Sequence, residues 1–171
     1  GIQNDANGEI YIYGGKISGN TALLNTGTAY ISGGEFTGND YAALNILKGT
    51  VEVTGGSFTG TDFSNGYFSG TPYGEWTVDF DSKATFTLKG GEFPNGFVTD
   101  ETTSNAFLAE GYYFRDADGK IVEVAEDSTV INGHVKVSKG ADLTTETVIT
   151  LDETEFVYSG KEHKPTVTVT V

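Results

Sequence analysis

Aromatic rings set among small polar residues are the groups in this chain best suited to chemistry at a surface. Residues 61–81, TDFSNGYFSGTPYGEWTVDFD, carry Phe63, Tyr67, Phe68, Tyr73, Trp76 and Phe80 among glycine, serine and proline. Aromatic faces stack on the apolar faces of pyranose rings, and Asp62, Glu75 and Asp79 could accept sugar hydroxyls. Trp76, Tyr73, Tyr67 and Phe68 are therefore the candidate glycan-stacking residues. A second candidate is the outward strip Tyr11, Tyr13 and Tyr30. Each set has a plainer alternative: the 61–81 segment as a loop folded over a wall by its own aromatics, and the tyrosines as a structural ladder.

Other chemistries meet obstacles. The chain has no cysteine and only two histidines, His134 on an alternating segment and His163 in the C-terminal phrase, neither near a G-x-S-x-G pattern. Asp116 and Asp118 suggest a calcium loop, but the position for a third ligand is Lys120 and the required glycine position is Ile121. This reads as a turn, and no metal or cofactor is expected. Asp79 and Asp81 share one alternating segment, and the sole arginine, Arg115, lies beside the turn rather than on a repeat. A fragment of a β-helical polysaccharide lyase or glycoside hydrolase is thus the alternative function, and it needs two or three acidic side chains within about 10 Å in a groove.

The frame that must position these groups is a repeat. IYIYGGKISGN, AYISGGEFTGN, VEVTGGSFTGT and FTLKGGEFPNG place glycine pairs at 14–15, 33–34, 55–56 and 90–91. Aligned on the pairs, Ile10, Ala29, Val51 and Phe86 form one apolar column. Ile12, Ile31, Val53 and Leu88 form the next, and Ile17, Phe36, Phe58 and Phe93 the third. Mostly polar residues fall between, which is the period-two signature of strands with one face buried. A unit of about 20 residues with about three short strands predicts an all-β, right-handed parallel β-helix-like solenoid, its strands stacked at the ~4.8 Å spacing. An antiparallel sandwich is the rival. Asn20 with Asn39, and Asn25 with Asn45, are expected at matching corners. The predicted organisation is solenoid over 1–104, with the 61–81 aromatic insertion, and a hairpin-containing end over 105–147. Turns are expected at Asp118-Gly119 and Asn132-Gly133, the latter as a hairpin or a last corner.

The last segment has another texture. ITLDETEFVYSGKEHKPTVTV resembles the opening of the bacterial immunoglobulin-like modules of Gram-positive surface proteins. The GG-x-F phrases followed by FLAEGYYFRDADGKIVEV resemble the glycine-rich β-helical surface repeats of gut Firmicutes. The resemblance implies an exported, wall-associated protein. It also implies that residues 148–171 form a truncated immunoglobulin-like strand pair, because a whole module takes about 100 residues. Without an initiator methionine the chain reads as a piece of something longer.

Composition narrows the partners. Among 171 residues, 24 acidic and 10 basic side chains give a net charge of −14, which repels nucleic acid and anionic membranes. No apolar run approaches the roughly 20 residues of a membrane span. The expected function is an extracellular adhesive or stalk module, non-enzymatic, with a glycan or a host or cell-surface protein as partner. Chain-to-chain pairing through residues 166–171 is a further expectation, since their alternating valines need cover.

Overall fold

The computed structural model describes residues 1–39, 41–60, 67–68, 71–72, 78–80, 84–99, 104–140, 148–151 and 167–170. Among the described residues the regular structure is all-β apart from one 3-10 turn, Ser104–Phe107. The chain divides into two compact units, Gly1–Lys139 and Gly140–Val171.

In the first unit, strands come in threes where the glycine phrases lie: β1 (Ile2–Asn4), β2 (Glu9–Ile12) and β3 (Lys16–Gly19), then β4 (Leu23–Asn25), β5 (Thr28–Ile31) and β6 (Glu35–Gly38), then β7 (Leu44–Ile46), β8 (Gly49–Val53) and β9 (Ser57–Gly60). After them come β10 (Tyr67–Phe68), β11 (Thr71–Pro72), β12 (Val78–Phe80), β13 (Ala84–Leu88), β14 (Glu92–Phe93), β15 (Gly96–Val98), β16 (Tyr112–Arg115), β17 (Val130–Asn132) and β18 (Val135–Lys139). Like positions of successive repeats pair in parallel. One ladder runs β1-β4-β7-β12 and a second β2-β5-β8-β13, while β3, β6, β9 and β14 open a third.

The registers are those of the apolar columns: Ile10 opposes Ala29, Val51 and Phe86 in turn, and Ile12 opposes Ile31, Val53 and Leu88. Except for the half-buried Ile10, all of these residues are buried. On the third ladder Phe36 and Phe58 stack at 4.8 Å and Phe58 and Phe93 at 5.5 Å between ring centroids. Phe97 then meets Phe93 edge-on at 4.8 Å, closing the aromatic row. Burying each ring contributes about 1.5–3 kcal/mol.

The two glycines of a pair do different work. The second adopts positive φ, at 99°, 109°, 106° and 111° for Gly15, Gly34, Gly56 and Gly91, a region L side chains avoid. The first lies against the preceding repeat, so that a Cβ on Gly33 would run into the carbonyl oxygen of Tyr13 and one on Gly90 into that of Thr54.

The uniform right-handed solenoid expected from the sequence is corrected by the sheets themselves. The architecture has several sheets, mostly parallel but of mixed type, and several are small. The third ladder ends in two antiparallel neighbours, β14-β18 and β18-β16. β15 pairs antiparallel with β17, and β10 with β11. For the antiparallel pairs of β17 and β18 the physical reason lies beyond Phe93, where the glycine rhythm stops and the intervening turns bring the chain back in the opposite direction. Asp116-Gly119 is one such turn, in which the Asp116 carboxylate accepts the backbone N–H groups of Asp118 at 3.0 Å and Lys120 at 2.9 Å. Asn132-Gly133 is a corner rather than a hairpin, because β17 and β18, which flank it, belong to different sheets.

One expected asparagine pairing also moves. Asn25 opposes Asn4 and Ile46, while Asn45 opposes Leu24, so the asparagine stack runs between the first two repeats. Asn4 Nδ2 donates to Asn25 Oδ1 at 2.7 Å, and Asn25 Nδ2 donates to the carbonyls of Gly27 and Lys48. Both side chains are buried, and these bonds satisfy polar atoms that would otherwise be costly there.

In the second unit, β19 (Val148–Leu151) pairs antiparallel with β20 (Val167–Thr170), Ile149 opposing Val169. β20 therefore has a partner within its own chain along that edge. Among the described residues no helix is long and apolar enough to cross a membrane.

Candidate functional site

The aromatic candidates fare unequally. Trp76 and Tyr73 lie outside the described residues, as do Asp62 and Glu75. Tyr67 and Phe68 form strand β10, where they oppose Pro72 and Thr71.

The tyrosine strip is fully placed. Tyr11 and Tyr30 are register partners on the outward face of the second ladder, and Tyr13 follows just beyond the end of β2. Their burial alternates against Ile10, Ile12, Ala29 and Ile31, which point into the core, so the rings must stand outside. Tyr11 stacks on Tyr30 at 5.0 Å with 18° between planes, and on Tyr13 at 6.5 Å with 14°. These rings are 55%, 38% and 77% exposed for Tyr11, Tyr30 and Tyr13.

Polar groups border the rings. The Tyr11 hydroxyl donates to Glu9, and this hydrogen bond, more than the partial desolvation or the charge of Glu9, holds the phenol above its ordinary value. Further along the same row Tyr30 opposes Glu52, whose carboxylate receives Lys89 Nζ at 2.7 Å. That hydrogen bond raises the Lys89 pKa against an opposing desolvation effect. The face thus offers near-parallel aromatic surface, carboxylate acceptors and an ammonium donor. Such groups can stack on an apolar ring face and exchange hydrogen bonds with hydroxyls.

A second feature was hidden from sequence. An open groove of ≈ 530 Å³ lies beside β18, lined among others by Glu92, Arg115, Asp116, Lys136 and Ser138. Arg115 opposes Lys136 and Lys136 opposes Glu92 across antiparallel pairs. Glu92 Oε1 lies 2.7 Å from His134 Nε2 and 3.5 Å from Lys136 Nζ. These juxtapositions come from strands far apart in the chain, which no local periodicity reveals; the isolated arginine was the only signal. His163 lies outside the described residues. Among the described residues no group of three or more His, Cys, Asp or Glu side chains is placed to hold a metal.

Comparison with known proteins finds no matching family model, curated protein or solved structure.

Proposed function

We propose that this chain is a non-catalytic, glycan-binding adhesive module of an exported bacterial surface protein, and that the outward tyrosine strip contacts the sugar. The observation that carries the reading is the set of three stacked, solvent-exposed rings on a rigid parallel ladder. Stacking on one another supports the ladder, yet it leaves the outer ring faces open to solvent, and contiguous exposed aromatic surface of this kind suits a binding site. Neighbouring Glu9 and the Glu52–Lys89 pair supply acceptors and a donor for the hydroxyls at the edge of a sugar ring. The surface-repeat resemblance of the sequence supports the extracellular setting.

The test is a glycan array with the intact chain, followed by titration of the best pyranose oligosaccharide. Tyr13→Ala, at the most exposed ring, should lower affinity at least about tenfold while changing stability by under about 0.5 kcal/mol. Parallel loss in a Trp76→Ala, Tyr73→Ala double variant would add the 61–81 segment to the same site. Binding that survives in a folded Tyr11→Ala, Tyr13→Ala, Tyr30→Ala variant, or an array with no signal, defeats the proposal.

A further inference from the structure

We infer that the groove beside β18 is a second binding site, one that takes a hydroxylated carboxylate, a hexuronic acid unit of an acidic glycan, with Arg115 receiving the carboxylate. Arg115 is held by two hydrogen bonds, Nε donating to Ser138 Oγ at 2.9 Å and Nη1 donating to the carbonyl of Gly119 at 2.8 Å. A guanidinium has five N–H donors in a planar fork, so three remain. Among the described residues it has no carboxylate partner, although Asp116 follows it directly in the chain. The reason is local: the Asp116 carboxylate is turned into its own turn, where it accepts the N–H groups of Asp118 and Lys120.

The sole arginine of a chain with net charge −14 is thus oriented at the wall of a groove, without a counter-ion among the described residues. Charge-assisted, fork-shaped recognition of a carboxylate is the chemistry such a group is built for. Lys136, on the facing strand, adds a second cation to the same wall, only partly engaged by Glu92 at 3.5 Å. Asp116, Asp118 and Glu92 also line the groove. They disfavour phosphate and other dense anions, and they suit hydroxyl donors. A ligand with one carboxylate and several hydroxyls meets both demands, and the groove volume falls in the range of small-molecule sites.

The experiment titrates the full chain with tetragalacturonate, and in parallel with a neutral glucose tetramer and with inorganic phosphate, at low and at raised salt. Tetragalacturonate should bind at low salt, weaken as salt rises, and outcompete both other probes. Arg115→Gln should lower its affinity at least about tenfold, the scale of one charged hydrogen-bonding contact, with circular dichroism unchanged. Should Arg115→Gln unfold, Ser138→Ala removes a support of the guanidinium and should weaken binding less, in a folded chain. Tyr13→Ala should leave this binding intact, which separates the groove from the tyrosine strip. The inference is overturned by wild-type chain that ignores tetragalacturonate, by equal affinity for the neutral tetramer or phosphate, or by full affinity in folded Arg115→Gln or Ser138→Ala.

Discussion

At the scale of single residues, packing and backbone conformation can be separated by substitution. Gly34→Ala places a Cβ at φ 109°, where L residues are strained, and Gly33→Ala drives one into the carbonyl of Tyr13. Gly14 has neither problem, since nothing lies within 4 Å of its Cβ position and its φ is not positive. Thermal unfolding should therefore show clear losses of about 1–3 kcal/mol for the Gly33 and Gly34 variants and a near-neutral Gly14→Ala. Phe58, fully buried between Phe36 and Phe93, should lose about 3–5 kcal/mol on change to alanine, against under about 0.5 for Ser57→Ala on the opposite face. These inward and outward assignments were legible in the sequence, because alternation and a repeated glycine pair together fix which face each side chain takes. The Tyr11 phenol gives a pH readout. Its pKa is raised above 10.0 in the folded chain, so the Glu9 bond contributes fully below the unfolded value and is lost as pH rises through the folded one. In ultraviolet titration, the difference between wild type and Tyr11→Phe should place this ionisation on the alkaline side of a free tyrosine, and Glu9→Gln should bring it back.

At the scale of elements, strand registers were readable where corners were not. Glu9 pairs with Thr28 and Lys16 with Glu35, each 19 residues on, whereas Ile2 pairs with Leu23, 21 residues on. The difference sits in the four residues between β1 and β2, against two between β4 and β5. Corner length varies without disturbing the ladders, because a loop can absorb an extra residue and a buried strand cannot. Alignment on the glycine pairs accordingly places the phenylalanines of the third ladder, whereas Asn25 and Asn45, expected at matching corners, stand one residue out of register. The antiparallel return of β18 was illegible for a different reason. Glu92 and Lys136 are 44 residues apart, and their pairing follows from where two turns aim the chain. The corners themselves can be weighed. Gly133 has φ 80° with nothing within 4 Å of its Cβ position, so Gly133→Ala should cost only the backbone strain, about 1–2 kcal/mol. Gly96, at φ 101°, would also press a Cβ on the carbonyl of Ile131, so Gly96→Ala should cost visibly more in the same denaturant series.

At the scale of the whole molecule, charge and the division into units set the behaviour. Twenty-four acidic against ten basic side chains leave a chain that repels itself at neutral pH. Ion pairs such as Lys16–Glu35, Lys89–Glu52 and Lys136–Glu92 are exposed or half-exposed and offset little of this. Moderate salt screens that repulsion over about 10 Å and should raise the melting temperature. The same salt weakens the groove's hold on a carboxylate, so stability and acidic-sugar binding should move in opposite directions along one salt series. The division into units makes a sharper statement. The phenylalanine row and the three ladders all lie within Gly1–Lys139, and β18 is the last strand to join them. β19 and β20 pair with each other in the second unit. A chain ending at Lys139 should therefore keep the far-ultraviolet spectrum and melting temperature of the ladder unit, and keep binding through both the tyrosine strip and the groove. Ending the chain at Gly133 instead removes β18, which is the partner of β14 and β16, uncovers Phe93 and Phe114, and takes away Lys136 and Ser138. That shorter chain should melt well below the first and lose tetragalacturonate binding. Equal stability of the two truncated chains would mean that β18 is an appendage rather than the strand that closes the third ladder.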